Sequence, residues 1–182
     1  MKKVDLHVHS TYSDGTNTPK ELIKLAENEG LSAIALTDHD TLDGIPDALD
    51  AAKNSSVELI PGVELSTNFN NTEVHIVGLF LDHNNKQIND YLIYQRQSRI
   101  DRNIQMCQKF CDIGINITYD KMCELYPDAV ITRAHFADYL VKNKYTGDRN
   151  EAFDRYLSPG KPCFVNRHKV DPEEAIAVIH KA

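Results

Sequence analysis

The chain has 182 residues, 41% of them hydrophobic and 26% charged, with a formal net charge of −7 at pH 7. That is enough to bury one sizeable core, but short of the roughly 250 residues typical of a closed eight-fold barrel. An acidic chain is poorly suited to broad contact with nucleic acid, so binding in a duplex DNA groove is not expected. No apolar run reaches the roughly 18 residues that would cross a bilayer, so no membrane partner is expected. The start, MKKVDLHVHS, lacks the apolar stretch of a signal peptide. Cys107, Cys111, Cys123 and Cys163 form no CxxC, and read as reduced, buried packing residues of a cytoplasmic protein.

In chain order, residues 3–8 alternate and read as a short strand. PKELIKLAENE (19–29) spaces Leu22, Ile23, Leu25 and Ala26 as a helix, with Thr18 as N-cap, Pro19 in the first turn and Gly30 as stop. LSAIALTD (31–38) is a continuous apolar run, as expected of a strand covered on both faces. A helix over about 45–53 precedes two more strand-like runs, VELIPGVELS (57–66) and EVHIVGLFL (73–81). Strand, helix, strand, helix, strand predicts βα units around a parallel sheet, an α/β fold.

The texture changes after Asp82. Residues 86–112 space Ile88, Tyr91, Leu92, Ile100, Ile104, Cys107, Phe110 and Cys111 as a long helix with one covered side, and shorter helices are expected over 119–125, 133–143 and 150–157. With no strand pattern between 82 and 162, residues 84–161 read as a helical insertion. Residues 1–83 and 162–182 then belong to one α/β domain, with SPGKP (158–162) as the exit hinge. A last helix starts at Pro172 with Asp171 as its cap, and its pattern breaks off at Ala182 without a stop signal.

Several clusters carry ligand chemistry. His7 and His9 stand two apart at a strand end, which aims two imidazoles to one side, and Asp14 follows in a turn. Asp38, His39 and Asp40 follow the second strand directly, at the carboxyl end where parallel sheets collect function. Glu64 lies in PGVE and His75 in EVH. If STNFNN (66–71) is a hairpin turn centred near Asn70, Glu64 and His75 become near-direct cross-strand neighbours, with Cβ atoms about 5 Å apart. Each cluster alone also fits ordinary surface histidines, a turn aspartate or an ion pair. Together they give four imidazoles and two carboxylates, a donor set for Zn, Mn or Fe(II). Six ligands are too many for one catalytic ion with an open position, so at least two ions are expected, able to clamp a transferring phosphoryl group.

DLHVHSTYSDG, LTDHD, PGVE and VHIVG, in this order and spacing, resemble the polymerase-and-histidinol-phosphatase (PHP) family. The resemblance is close over residues 1–82 and looser beyond. It implies a distorted (β/α)7 barrel with a helical insertion, two or three divalent ions (Mn, Zn or Fe), and phosphoester hydrolysis by metal-activated hydroxide. It implies that His7, His9 and Glu64 hold one ion, that Asp14 and His39 hold a second, and that Glu64 and His75 contribute to a third. Within the family the chain is most similar to nucleoside 3′,5′-bisphosphate phosphatases and 5′–3′ exonucleases acting on short RNA. In these, arginines of the long helix and a later R-x-H bind phosphate. Arg99, Arg102, Arg133 and His135 match those positions. Family members continue past a helix like 172–182 into further ligand-bearing strands, so the barrel is expected to be incomplete in this chain.

The leading expectation is a hydrolase acting on a small phosphorylated substrate, a nucleotide or short RNA, though an incomplete chain need not be active alone. A histidinol-phosphate phosphatase and a non-catalytic accessory module are the alternatives. The oligomeric state stays open. Because imidazoles bind metal only when neutral, metal affinity is expected to fall below about pH 6.5.

Overall fold

A computed structural model of the chain describes residues 2–70, 72–167 and 170–182. Two compact units divide it, residues 1–96 with 169–182, and residues 97–168.

The first unit is built on a four-stranded sheet in the order β1-β2-β3-β4. Strands β1 (Lys3–Val8), β2 (Leu31–Leu36) and β3 (Glu58–Phe69) run parallel, and β4 (Thr72–Leu79) closes antiparallel on β3. Helices α1 (Pro19–Asn28) and α2 (Ile45–Ala52) make the crossovers. The N-terminus of α1 forms as its residue types dictate. Thr18 accepts from the Glu21 backbone N–H while Glu21 reaches back to Thr18, a capping box worth about 1 kcal/mol. Gly30 takes a φ of 68°, which lets the chain turn out of the helix.

The alternation of β2 sorts its two faces. Ile34 and Leu36 pack with Leu22, Ile23, Ala26, Ile45 and Ala48 of the two helices. Burying each of these larger side chains contributes about 1.5–3 kcal/mol. Ala33 and Ala35 meet Ile60 in a separate cluster, where small side chains leave room inside the curl of the sheet. Strand β1 is an edge, and Val4 and Leu6 on it are exposed. Helix α7 (Pro172–Ile179) returns to β3 and β4, with Ala175 buried in the same core. Asp171 occupies its N-cap position, but its side chain makes no capping hydrogen bond, contrary to expectation. Pro172 supplies the start instead, because its missing N–H needs no partner there.

The β3–β4 hairpin forms where STNFNN predicted it, with Asn70 at φ 50°. Asn71, in the same stretch, lies outside the described residues. The register differs from the expected one. Glu64 faces Val77, and His75 faces Ser66. Glu64 and His75 are therefore diagonal neighbours on one face, still within reach of long side chains.

Helix α3 (Lys86–Asp112) spans the predicted range and contributes to both units. Asn85 Oδ1 accepts from the Gln87 and Ile88 N–H groups at 2.9 and 3.3 Å and caps its start. Helices α4 (Tyr119–Leu125), α5 (Arg133–Lys142) and α6 (Arg149–Ala152) follow, and a wider helical turn over Phe153–Leu157 extends α6. The second unit packs Met106, Cys107, Phe110, Met122, Phe136 and Leu140 into its own core. All four cysteines are free thiols. Cys107 and Cys163 are buried as expected, but Cys111 is exposed and Cys123 half-buried. No helix among the described residues is long and apolar enough to cross a membrane.

Candidate metal centre

Two strand ends and one hairpin bring six side chains together. His7 lies on β1 and His9 just past it, the spacing of two placing both rings on one side. Their centroids are 5.1 Å apart. The chain then folds into a tight turn, in which Ser13 and Gly15 both donate backbone N–H groups to the Ser10 carbonyl at 3.0 Å. This turn sets Asp14 beside His9 and His39. His39 follows β2 and bridges Glu64 through the backbone. The Glu64 N–H donates to the Asp38 carbonyl and the Asp40 N–H to the Glu64 carbonyl, both at 3.1 Å. Asp40 then turns the chain away at φ 53°, a region that Asp tolerates better than most residues.

Glu64 is the hub, with only 4% of its surface exposed. Its Oε2 lies 2.9 Å from His9 Nε2, 3.1 Å from His7 Nε2 and 3.3 Å from His39 Nδ1. Its Oε1 lies 2.5 Å from His75 Nδ1. Asp14 stands 3.6 Å from His39 Nε2 and 3.7 Å from His9 Nδ1. Three triads each place their ligand atoms within 4.8 Å of one another: His7, His9 and Glu64; His9, Asp14 and His39; His39, Glu64 and His75. Each triad mixes imidazole nitrogen with carboxylate oxygen and contains no sulfur, which suits Zn, Mn or Fe(II). The residues therefore fit the divalent ions that the sequence implies.

The carboxylates and imidazoles of this cluster shift one another's titration. Burial pushes the Glu64 carboxyl up, but hydrogen bonds from His75 and His9 win and hold it well below the usual carboxylate range. Hydrogen bonds to Glu64 and then Glu73 raise His75 to about 9. Burial pulls His9 down, yet Glu64 and Asp14 leave it above its ordinary value. His75 thus titrates above the range of an ordinary imidazole. Proton competition with metal extends from about pH 6.5 up to about 9, because the carboxylates that would share a cation also stabilise imidazolium.

The residues expected to bind phosphate belong to the second unit. Arg99 and Arg102 are buried on α3. Arg133 opens α5, with its guanidinium 5.8 Å from the Phe164 ring centroid. His135 Nδ1 accepts from the Thr132 backbone N–H at 2.9 Å, so this ring also caps α5. It packs 4.3 Å from the Tyr126 ring.

Two sets of polar partners escaped the sequence reading. Behind His9, buried Asp38 accepts from Ser10 and Ser13. Beside His75, Glu73 Oε1 lies 3.1 Å from Nε2. The signal for the second was present in E-x-H, two residues apart on one strand face. The first joins residues 25 and 28 apart in sequence, which no local spacing reveals.

A curled, mixed sheet carrying this cluster at its strand ends defines a PHP-type architecture. The PHP domain family model matches residues 5–179, and the chain belongs to that family. It is 42% identical over 181 residues to a 5′-3′ exoribonuclease from Haemophilus influenzae, covering 100% of this chain and 66% of that protein. It is 36% identical over 182 residues to a 3′,5′-nucleoside bisphosphate phosphatase from Chromobacterium violaceum, covering 98% of this chain and 63% of the relative. Among solved structures it superimposes on a Bifidobacterium adolescentis protein assigned as a metal-dependent phosphoesterase, with a TM-score of 0.93 and 28% identity, over 100% of this chain and 64% of the other. The chain thus spans less than two thirds of the length of these relatives.

Proposed function

We propose that this chain carries the metal-binding residues of a phosphoesterase that hydrolyses a phosphomonoester or phosphodiester, with a nucleotide or short oligonucleotide as substrate. The convergence of four imidazoles on Glu64, with Asp14 beside two of them, carries the reading. His7, His9 and Glu64 would hold one ion, Asp14 and His39 a second, and Glu64 with His75 would serve a third. Bound divalent ions supply Lewis acidity and lower the pKa of water to near neutrality. The protein's own residues fix donor positions and, through Arg99, Arg102 and Arg133, bind phosphate oxygens in a planar fork. His135 contributes by ordering the turn that precedes Arg133.

The relatives named as a nucleoside bisphosphate phosphatase and an exoribonuclease support a small nucleotide or RNA substrate. A net charge of −7 argues against groove binding to duplex DNA, and four free thiols fit a reducing, cytoplasmic compartment. The test is metal analysis and turnover of the purified protein with Mn²⁺, Zn²⁺ or Fe²⁺. A nucleoside 3′,5′-bisphosphate, a 5′-phosphorylated short RNA and histidinol phosphate are the substrates. Binding of at least two ions, and hydrolysis of the first or second substrate that His39→Ala and chelator abolish, is expected. Preferential turnover of histidinol phosphate would reassign the substrate. Failure to bind any of the three ions would overturn the reading.

A further inference from the structure

We propose that Ser13 and Asp38 are positioning residues, a buried hydrogen-bond relay that keeps the proton of His9 on Nδ1 and so offers Nε2 as the metal-binding atom. This deepens the proposed function and rests on it.

The argument is a count of protons. Asp38 is 2% exposed, Ser13 1% and Ser10 0%, so each donor and acceptor here must find its partner within the protein. Asp38 Oδ1 lies 2.7 Å from the Ser10 backbone N–H, a group that can only donate. Asp38 Oδ2 lies 2.6 Å from Ser10 Oγ. Ser10 Oγ already accepts from the Tyr12 N–H at 3.1 Å, which directs its single proton to Asp38. Asp38 Oδ1 also lies 2.6 Å from Ser13 Oγ. A carboxylate taking two donors from Ser10 acts as acceptor throughout, so the Ser13 hydroxyl proton points to Asp38 as well. The remaining neighbour of Ser13 Oγ is His9 Nδ1 at 3.2 Å. With its proton committed, Ser13 can only accept, so His9 donates from Nδ1. The ring's other nitrogen donates to Glu64 Oε2 at 2.9 Å, and because the Nδ1 proton is committed to Ser13, Nε2 is the atom whose lone pair a metal ion would take in place of that proton.

The relay also decides between two triads that both contain His9. A ring protonated at Nδ1 gives one lone pair to one ion. The Nε2 atom lies beside Glu64, whereas Asp14 faces Nδ1 from 3.7 Å. His9 therefore serves the ion held by Glu64, and Asp14 and His39 serve the other. Partners behind a metal-binding histidine fix its tautomer and orientation, and removing them typically costs about 10–100-fold in metal affinity.

The experiment titrates Zn²⁺ alone into the parent chain, Ser13→Ala, Ser13→Thr, Asp38→Asn and the Ser13→Ala/Asp38→Asn double variant, with metal-free melting as a check on folding. Ring ¹⁵N NMR of the Zn²⁺-loaded parent and Ser13→Ala chains follows the Nδ1 proton of His9. We expect about 10–100-fold weaker binding for Ser13→Ala, and near-parental affinity for Ser13→Thr, which keeps the hydroxyl. The double variant should bind no more weakly than Ser13→Ala, because Asp38 acts through Ser13. The Nδ1 proton should exchange slowly with water in the parent and quickly in Ser13→Ala. Parental affinity and exchange in Ser13→Ala, or additive losses in the double variant, would overturn the relay. A parent chain that binds no Zn²⁺, Mn²⁺ or Fe²⁺ would instead overturn the phosphoesterase reading.

Discussion

Glu64→Gln in the metal-free protein tests whether one buried carboxylate organises four imidazoles. Glu64 and then Glu73 raise His75 from an ordinary 6.5 to about 9. A histidine whose pKa is raised on folding stabilises the protein fully below the unfolded value, and that contribution is lost as pH climbs through the folded value. The window here runs from about pH 6.5 to about 9. At about 1.36 kcal/mol per pH unit the ceiling is about 3.4 kcal/mol. The His75 side chain is 35% exposed, so solvent screening reduces this to about 1–2 kcal/mol. Urea denaturation in EDTA should therefore show the parent losing about 1–2 kcal/mol of stability between pH 6.5 and 9.5. Glu64→Gln keeps only Glu73 beside His75 and should lose less than about half as much. His9, which Glu64 also raises, adds to the same difference between the two proteins. Equal losses in the two proteins, or a parent that is flat across the window, would refute the reasoning. The same proton must leave before His75 can bind an ion, so the parent's apparent metal affinity should keep rising to about pH 9.

Gly15→Ala should open the turn that carries Asp14, because an added Cβ would stand 2.1 Å from the His9 carbonyl oxygen. A lower melting temperature and at least about tenfold weaker Zn²⁺ binding are expected, with overpacking of this kind costing about 1–3 kcal/mol. Unchanged binding would show that the turn does not set the ligand. Phe110→Ala removes a fully buried ring that stacks on Phe136 at 5.9 Å. Urea unfolding should show a loss of about 3–5 kcal/mol, and a loss under about 1 kcal/mol would contradict the packing described for the second unit.

Local chemistry made much of this protein legible. Thr18, Pro19 and Gly30 mark both ends of α1 by capping, ring geometry and left-handed φ, all properties of single residues. The continuous run LSAIAL announces a strand covered on both faces, and period two places His7 and His9 on one side. The hairpin turn was visible in STNFNN, but its register was not. Register depends on which residues of β3 and β4 pack best, and the pairing settles one place from the expected one, with Glu64 opposite Val77. The capping role of His135 was hidden likewise, since R-x-H reads equally as a phosphate site and as the third residue of a helix that begins at Arg133.

The sequence by itself determined the candidate donor types, their order and the strands near which they lie, because donor chemistry and strand periodicity are written residue by residue. Only the tertiary structure decided that Glu64 is the hub, that Asp38 lies behind His9, and that His75 titrates near 9 rather than 6.5. Those are matters of distance between elements far apart in the chain. A buried carboxylate acquires its four imidazole neighbours when β1, β2 and the β3–β4 hairpin pair side by side.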